Sequence, residues 1–414
     1  MSKLEQGVEP EAVGLSLERL KRIERHFVRY VDDGRLTGWL VVVTRRGQVA
    51  YVASAGTRDR EAGKPVEIDT VWRWYSMTKP ITSVAAMMLY EEGAFDLRDP
   101  VRNWIPSLAE PLVYVAGPAA RPVTRPATEP IRVWHLLTHT AGFTYGFHHV
   151  HPVDEMYRAA GFEWGYPEGM DLGACVDTWA SLPLLFDPGS EWAYSVATDV
   201  LGRLVEVVSG QRLDEFFRTR IFEPLGMEET GFWAGPELVG RLAALYVAHP
   251  ETRLAVAADG SAASTPQRML SGGGGLVGPA HDYHRFTQML LHGGELDGVR
   301  LLSPSTVSYM TRNHLPRGLD LEQFGRKLFA ETSYDGVGFG LGFSVTDDPV
   351  ASKVVSSRGE YGWGGAASTA FWIDPAEQMT VLFFTQLMPS STHPIRRQLK
   401  TLVYQALLDE RPGW

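Results

Sequence analysis

The stretch WRWYSMTKPITSVAAMMLYEEG, from Trp72 to Gly93, decides how the rest of the chain is interpreted. Pro80 lacks a backbone N–H and therefore fits a helix only in its first turn, and Gly93 is a suitable C-terminal stop. The pattern predicts a helix that begins close to Ser76 and buries one face. That face carries apolar residues at helical spacing, namely Ile81, Val84, Ala85, Met88 and Leu89.

Ser76 and Lys79 lie three residues apart, on the same face of this predicted helix. Backbone N–H groups at a helix start favour negative charge nearby, and an amine beside a serine can accept its proton. The pair is therefore a candidate nucleophile and base. The same four residues also fit a surface serine beside a solvated lysine, so the rest of the sequence has to decide.

The composition narrows the classes of function. The chain has 414 residues, of which 44% are hydrophobic and 21% charged, as in ordinary globular proteins. A net charge of −10, with no basic block, argues against nucleic acid and anionic membranes as partners. No apolar run is long enough to span a membrane, and the N-terminal segment lacks an apolar signal core. A single cysteine, Cys175, fits the cytoplasm, and its surroundings predict a buried thiol on a helix.

The order of the predicted elements indicates a split domain. A helix is predicted near 17–31, and residues 38–56 read as two strands joined by a turn at Arg45-Arg46-Gly47. Strands return near 338–345, 366–373 and 379–386, before a last helix near 395–408. The middle, 99–222, shows helical patterns and no clear strand. We therefore predict an α/β domain of residues 1–96 and 222–414, with a mainly helical domain, 97–221, inserted into it.

Tyr194 is a second candidate site residue. In PGSEWAYSVATDVLG, from Pro188 to Gly202, it lies on a loop between a Pro-Gly turn and a helix beginning near Thr198 or Asp199. Catalytic groups often occupy loops held by rigid elements. A tyrosine hydroxyl ordinarily has a pKa near 10, so it can take a serine proton at neutral pH only beside a cation. Lys79 is the available cation; the alternative is a tyrosine packed at a turn.

A glycine-rich turn supplies the third piece. RGEYGWGGAASTAFWIDP, from Arg358 to Pro375, places this turn before a strand predicted to begin at Ala366. Glycines allow the backbone to approach a ligand closely, and an edge strand here could present its N–H to an oxyanion. The alternative is a tight β-turn with a packed tryptophan.

Three other motifs are set aside. The run Gly273 to Gly278 satisfies G-x-G-x-x-G but follows no buried strand, so we expect no dinucleotide there. His135 and His139 lack the glutamate of a zinc protease motif, and the cluster at 148–151 fits solvated histidines better than a metal site. We therefore expect no cofactor and no metal.

Taken together and in this order, the pieces resemble the serine β-lactamase and penicillin-binding-protein superfamily, and within it the class C β-lactamase-like esterases called family VIII carboxylesterases. The resemblance rests on YSMTKPITS, HLLTHTAGF, YSVATDVLG, PLGMEETGF, GGGGLVGPAHDYHRF and GWGG, and covers nearly the whole chain. It implies a β-lactamase-like fold, an antiparallel sheet flanked by helices with an inserted helical domain. It also implies Ser76 as nucleophile, Lys79 and Tyr194 as the activating pair, and the N–H groups of Ser76 and Ala366 as the oxyanion hole.

Two departures from the β-lactamase pattern favour neutral esters. Class C enzymes have Tyr-x-Asn where this chain has Tyr194-Ser195-Val196, and the sequence contains only two asparagines, Asn103 and Asn313. β-Lactamases carry Lys-Thr-Gly where this chain carries Trp363-Gly364-Gly365. A lysine there would pair with a substrate carboxylate, whereas a tryptophan offers an apolar face and one N–H donor.

We therefore expect a cytoplasmic serine esterase that hydrolyses, or transesterifies, small carboxylic esters through an acyl-enzyme. The alternatives are a class C-like β-lactamase or D-alanyl-D-alanine peptidase, and a non-catalytic binding protein on the same fold. The expected partner is a small ester, and the sequence leaves the oligomeric state open. Aromatic residues line apolar pockets, so the predicted pocket walls are Tyr145, Phe147, Trp164 and Trp363.

Overall fold

The computed structural model describes residues 4–326 and 333–409. The helices are α1 (Leu17–Asp32), α2 (Thr78–Glu91), α3 (Val133–Leu137), α4 (Pro152–Ala159), α5 (Leu172–Ala180), α6 (Ala197–Ser209), α7 (Leu213–Phe217), α8 (Glu223–Leu225), α9 (Ala280–Leu291), α10 (Pro304–Met310), α11 (Leu321–Phe324), α12 (Pro349–Ser352) and α13 (Ile395–Tyr404).

The strands are β1 (Gly38–Arg45), β2 (Gln48–Asp59), β3 (Lys64–Pro65), β4 (Val71–Arg73), β5 (Leu112–Ala116), β6 (Val123–Pro126), β7 (Leu245–Ala248), β8 (Ala255–Ala258), β9 (Val277–Pro279), β10 (Glu295–Leu296), β11 (Val299–Arg300), β12 (Val337–Phe339), β13 (Ser344–Thr346), β14 (Tyr361–Gly364), β15 (Ala370–Asp374), β16 (Met379–Phe384) and β17 (Leu387–Met388).

One eight-stranded sheet joins the two ends of the chain, in the order β12-β13-β14-β15-β16-β1-β2-β3. Its neighbouring strands are antiparallel, and β1 pairs with β16 from Leu40 opposite Phe384 to Arg45 opposite Met379. The tight turn between β1 and β2 is confirmed, with Arg46 and Gly47 both at positive φ, as a two-residue hairpin of this twist requires. The predicted fold class, an antiparallel sheet with helices, is confirmed.

Both faces of the sheet are buried, so β1 is buried along its whole length and is apolar from Trp39 to Val43 rather than alternating. Trp39, Val41 and Val43 pack with α1 and α13 on one face. Leu40 and Val42 point to the other face, where the core contains residues of α2, α6 and α9. The pattern of α2 predicted one buried face; in the structure every residue from Thr78 to Leu89 is buried, because α2 lies in the centre of the molecule and contacts α6.

Three strand predictions need correction. Residues 338–345 form two short strands, β12 and β13, because the chain reverses between them. The strand predicted at 366–373 is β15 and begins at Ala370; Ala366 lies in the turn that joins it to β14. This turn is not on a sheet edge, since β14 lies between β13 and β15. The middle of the chain also contains the hairpin β5–β6, whose exposed residues gave no apolar alternation.

The division into domains at residues 97 and 221 stays a prediction. Cys175 lies on α5 and is buried, and burial raises the pKa of its thiol to about 12. Within the described residues, no helix combines the length and apolar character that a membrane span needs.

Candidate active site

Ser76 lies in a short 3-10 turn, Tyr75–Met77, between the end of β4 and the start of α2. The helix therefore begins beside the serine, as the sequence predicted. Tyr75 has a φ of 46°, in the left-handed region that non-glycine residues seldom adopt. Gly365 packs directly against this turn: a Cβ on it would lie 2.3 Å from the carbonyl oxygen of Trp74. The glycine-rich turn and the serine turn thus touch, backbone against backbone.

The amine of Lys79 is buried beside the serine. Its Nζ lies 3.2 Å from Ser76 Oγ, 3.0 Å from the hydroxyl of Tyr145 and 2.7 Å from the carbonyl oxygen of Gly273. The side chain is only 2% exposed. The three contacts fix the amine in the position from which it can exchange a proton with Ser76.

Tyr194 packs against the same amine through its ring. Lys79 Nζ lies 4.5 Å from the ring centroid, a cation–π distance, and the hydroxyl of Tyr194 accepts a hydrogen bond of 3.1 Å from Trp363 Nε1. The tyrosine whose hydroxyl contacts Lys79 is instead Tyr145, which the sequence placed only among the pocket walls. The structure thus brings two tyrosines to Lys79, one through its ring and one through its hydroxyl.

A cleft opens in front of Ser76. Phe147 forms one side, stacked on Trp164 with ring centroids 4.4 Å apart and planes 11° apart; Trp164 is 54% exposed at the mouth. Tyr334, Pro389, Ser390 and Arg396 also line it and were not found from the sequence. The predicted residues that line the cleft are Ser76, Phe147, Trp164, Tyr194, Trp363, Gly364, Gly365 and Ala366.

Two residues that the sequence links only to metal or dinucleotide motifs lie behind the cleft. His139 is buried, with its ring 5.0 Å from that of Tyr194 and its Nδ1 3.3 Å from Ser195 Oγ. Burial and the charge of Lys79 hold the pKa of His139 well below 6.5, so the imidazole is neutral. Gly273, from the glycine run set aside as a dinucleotide motif, provides the carbonyl that binds Lys79.

The three histidines at 148–151 have separate partners. His148 contacts the carbonyl oxygen of Tyr194, His149 pairs with Glu163, and His151 accepts a hydrogen bond at the start of α4. Within residues 4–326 and 333–409, no group of three His, Cys, Asp or Glu side chains has the arrangement of a metal site.

Comparison with known proteins gives several matches over most of the chain. An uncharacterised protein of Mycobacterium tuberculosis is 36% identical over 86% of this chain and 88% of its own length. Esterase EstB of Burkholderia gladioli is 31% identical over 96% of this chain and 98% of its own. The solved structure of EstCE1, described as a hydrolase with promiscuous acyltransferase activity, superimposes with a TM-score of 0.78 at 30% identity, covering 94% of this chain and 99% of that one.

A family model gives the same result. The model for the beta-lactamase family matches residues 23–405, which include the serine turn, α2, the Tyr194 loop and the glycine-rich turn. The chain therefore belongs to the beta-lactamase family.

Proposed function

We propose that this chain is a serine esterase that cleaves small carboxylic esters through a covalent acyl-enzyme on Ser76. The observation that carries the proposal is the 3.2 Å contact between Lys79 Nζ and Ser76 Oγ at the base of a cleft. A serine beside a fixed amine has the parts of an activated nucleophile. The names of the relatives EstB and EstCE1, an esterase and a hydrolase, support the same chemistry.

The reaction proceeds in two halves. Ser76 Oγ bonds to the ester carbonyl carbon while its proton passes to the Lys79–Tyr194 pair. The tetrahedral intermediate then collapses, the C–O bond to the alcohol breaks, and the leaving alkoxide receives that proton. Water repeats the same steps on the acyl-enzyme and releases the acid and free Ser76.

Tyr145 assists by holding the amine. Burial, reinforced by the charge of Asp199, raises the pKa of Tyr145 well above 10, so the phenol keeps its proton at neutral pH. Its oxygen accepts from Lys79 and its proton stays free to donate. Tyr145 is therefore an orienting group, while Tyr194 lines the cleft with Ser76.

The oxyanion hole consists of the backbone N–H groups of Ser76 and Ala366. Both residues line the cleft. Among the turn and loop hydrogen bonds of the described residues, neither N–H donates to a backbone carbonyl, which supports their availability to the carbonyl oxygen of the substrate. Two donors fixed in advance stabilise the charge that develops on that oxygen.

Neutral esters fit this cleft better than carboxylate-bearing amides. Trp363 occupies the place of the β-lactamase lysine and uses its N–H on Tyr194. Val196, in the place of the class C asparagine, is buried at 3% exposure and carries no amide to read a peptide-like substrate. We propose the cytoplasm as the location, supported by the single cysteine.

Acyl transfer to an alcohol is a second activity of the same intermediate. An alcohol that enters the cleft in place of water takes the acyl group from Ser76 and gives a new ester. The promiscuous acyltransferase activity named for EstCE1 favours this possibility.

A panel of nitrophenyl esters beside the cephalosporin nitrocefin tests the proposed function. We expect turnover of short-chain esters, stoichiometric labelling of Ser76 by a fluorophosphonate, and a far lower kcat/KM on nitrocefin. Turnover of nitrocefin above that of every ester would favour the β-lactamase alternative, and no labelling would favour a binding protein.

A further inference from the structure

A buried carboxylate lies behind the amine of Lys79 and has no part in the mechanism above. Asp199, the third residue of α6, is 1% exposed. Its Oδ1 accepts hydrogen bonds from Ser271 Oγ at 2.6 Å and from the backbone N–H of Gly273 at 3.0 Å. Gly273 is the residue whose carbonyl oxygen accepts from Lys79 Nζ. Asp199 and Lys79 thus hold the same glycine from opposite sides.

The other oxygen of this carboxylate faces the same glycine. Among the described residues, Asp199 Oδ2 has no hydrogen-bond partner, and a Cβ on Gly273 would lie 2.5 Å from it. A buried carboxylate oxygen without a hydrogen-bond partner lowers the stability of the fold. Helix capping alone does not explain a carboxylate at this position, since capping does not require an unpaired buried oxygen. Burial raises the pKa of Asp199, while the charge of Lys79 and the hydrogen bonds from Ser271 and Gly273 oppose that rise.

A chain of two hydroxyl groups holds the carboxylate in place. Tyr166 donates its hydroxyl proton to Ser271 Oγ across 2.8 Å, which directs the Ser271 hydroxyl toward Asp199. Thr82, on α2, donates a hydrogen bond of 2.6 Å to the carbonyl oxygen of Gly272. The loop that contains Ser271 and Gly273 is therefore bonded directly to α2, the helix that carries Lys79.

We propose that Asp199 is a positioning residue for the reaction: through Gly273 it fixes the amine of Lys79 against Ser76, and its negative charge balances that of Lys79 during proton transfer. This inference rests on the proposed function. Asp199 does not contact the substrate; it acts on the rate of serine activation. A loss of Asp199 should therefore lower kcat and leave KM nearly unchanged.

The test compares Asp199→Asn and Asp199→Ala with a matched control, Asp282→Asn. Asp282 is also the third residue of its helix, α9, and is 2% exposed. It accepts from the N–H of Glu229 at 2.9 Å and from Thr230 Oγ1 at 2.8 Å, a similar set of partners. The readouts are kcat and KM on nitrophenyl butyrate, the rate of fluorophosphonate labelling, and Tm.

We expect Asp199→Asn to lower kcat and the labelling rate by about tenfold or more, with KM within about twofold of wild type. Asp199→Ala should lower kcat and the labelling rate further than Asp199→Asn, because the asparagine side chain can still accept the hydrogen bond from the N–H of Gly273. Ser271→Ala removes one hydrogen bond to Asp199 and should lower kcat by about three- to tenfold. This variant keeps the inference testable if Asp199→Ala does not fold. Asp282→Asn should lower Tm and keep kcat within about twofold.

Two results would overturn the inference: a folded Asp199→Asn with wild-type kcat and labelling rate, or a kcat loss in Asp282→Asn as large as that in Asp199→Asn. Failure of the wild type itself to label at Ser76 would instead overturn the proposed function, so the two failures are distinguishable.

Discussion

The indole Nε1–H of Trp363 donates a hydrogen bond to the hydroxyl oxygen of Tyr194 across 3.1 Å. A tryptophan thus gives this tyrosine the donor that a lysine would give it, without adding a charge. Lys79 Nζ lies over the Tyr194 ring, and in the proposed mechanism it is the cation on which proton transfer at Ser76 depends. If Ser76, Lys79 and Tyr194 act as proposed, this contact couples the choice of substrate at position 363 to the activation of Ser76.

Ser76→Ala should abolish both turnover and fluorophosphonate labelling while leaving Tm within a few degrees of wild type, because the hydroxyl is half-buried and packs little. The control is Ser390→Ala, which removes another serine of the cleft and should still be labelled. Mass spectrometry that finds the adduct on a serine other than Ser76 would contradict the assignment.

Lys79→Ala and Tyr194→Phe should each lower kcat by about 10²- to 10⁴-fold, the range of general-base contributions. When two groups act as one unit, the effects of removing them on kcat are not additive. The kcat of the double variant should therefore be little lower than that of either single variant. Steady-state kinetics of all four proteins check this. If the two losses multiply, Lys79 and Tyr194 act separately.

Tyr145→Phe should lower kcat by about one to two decades, since a hydrogen bond to a charged amine such as that of Lys79 is worth about 1.5–3 kcal/mol. KM should change little, because the hydroxyl contacts the amine of Lys79 and Tyr145 is not among the residues that line the cleft. Phe147→Leu is the contrast, since it alters the wall of the cleft and should act mainly on KM. If Tyr145→Phe changes KM and leaves kcat unaltered, Tyr145 contacts the substrate as a pocket residue and does not orient Lys79.

How much of this site the sequence predicts depends on the distance along the chain between the parts. Ser76 and Lys79 share one helical turn, so local spacing finds them. Tyr145 is 66 residues from Lys79, and no local pattern relates the two. Asp199 reads as an ordinary acidic residue in the first turn of a helix, and Gly273 as part of a glycine run. Only the packing of α6 and the loop before β9 against α2 gives them a common role.

The fold shows the same limit. Apolar β1 and β16 are strong signals, and the sequence places both. The hairpin β5–β6 lacks a regular apolar face: Val113 is buried in the core, whereas Leu112, Val115 and Val123 are exposed, so the apolar residues do not alternate along either strand. The strand predicted from Ala366 begins instead at Ala370, because Ser368 adopts a φ of 65° and the chain turns there.

Acid should destabilise the protein through its buried histidines. Burial lowers the pKa of His135 to about 3 in the folded state, against about 6.5 when unfolded. Below pH 6.5 the unfolded state therefore binds a proton that the folded state does not, and stability falls as pH falls. From pH 7 to 5 the loss is about 2 kcal/mol for such a group.

Urea unfolding at pH 7 and pH 5 checks this for His135→Gln. The stability of wild type should fall by about 2 kcal/mol more than that of the variant over this interval. Equal losses in the two proteins would mean that His135 does not carry the effect.

The last prediction concerns Trp363→Lys, which restores the charge that lactamases direct at a substrate carboxylate. A cation in this half-buried position should give a carboxylate about 1.5–3 kcal/mol of charge-assisted hydrogen bonding, or about one to two decades in kcat/KM. The same change removes an aromatic wall of the cleft, so kcat/KM for neutral esters should fall. The ratio of kcat/KM for nitrocefin to that for nitrophenyl butyrate should therefore rise by about tenfold or more. Trp363→Phe separates the contributions, since it keeps an aromatic face and deletes the donor to Tyr194. It should lower kcat on both substrates and leave their ratio near that of wild type. A folded Trp363→Lys with an unchanged ratio would mean that position 363 does not face the substrate, and that the ester preference has another origin.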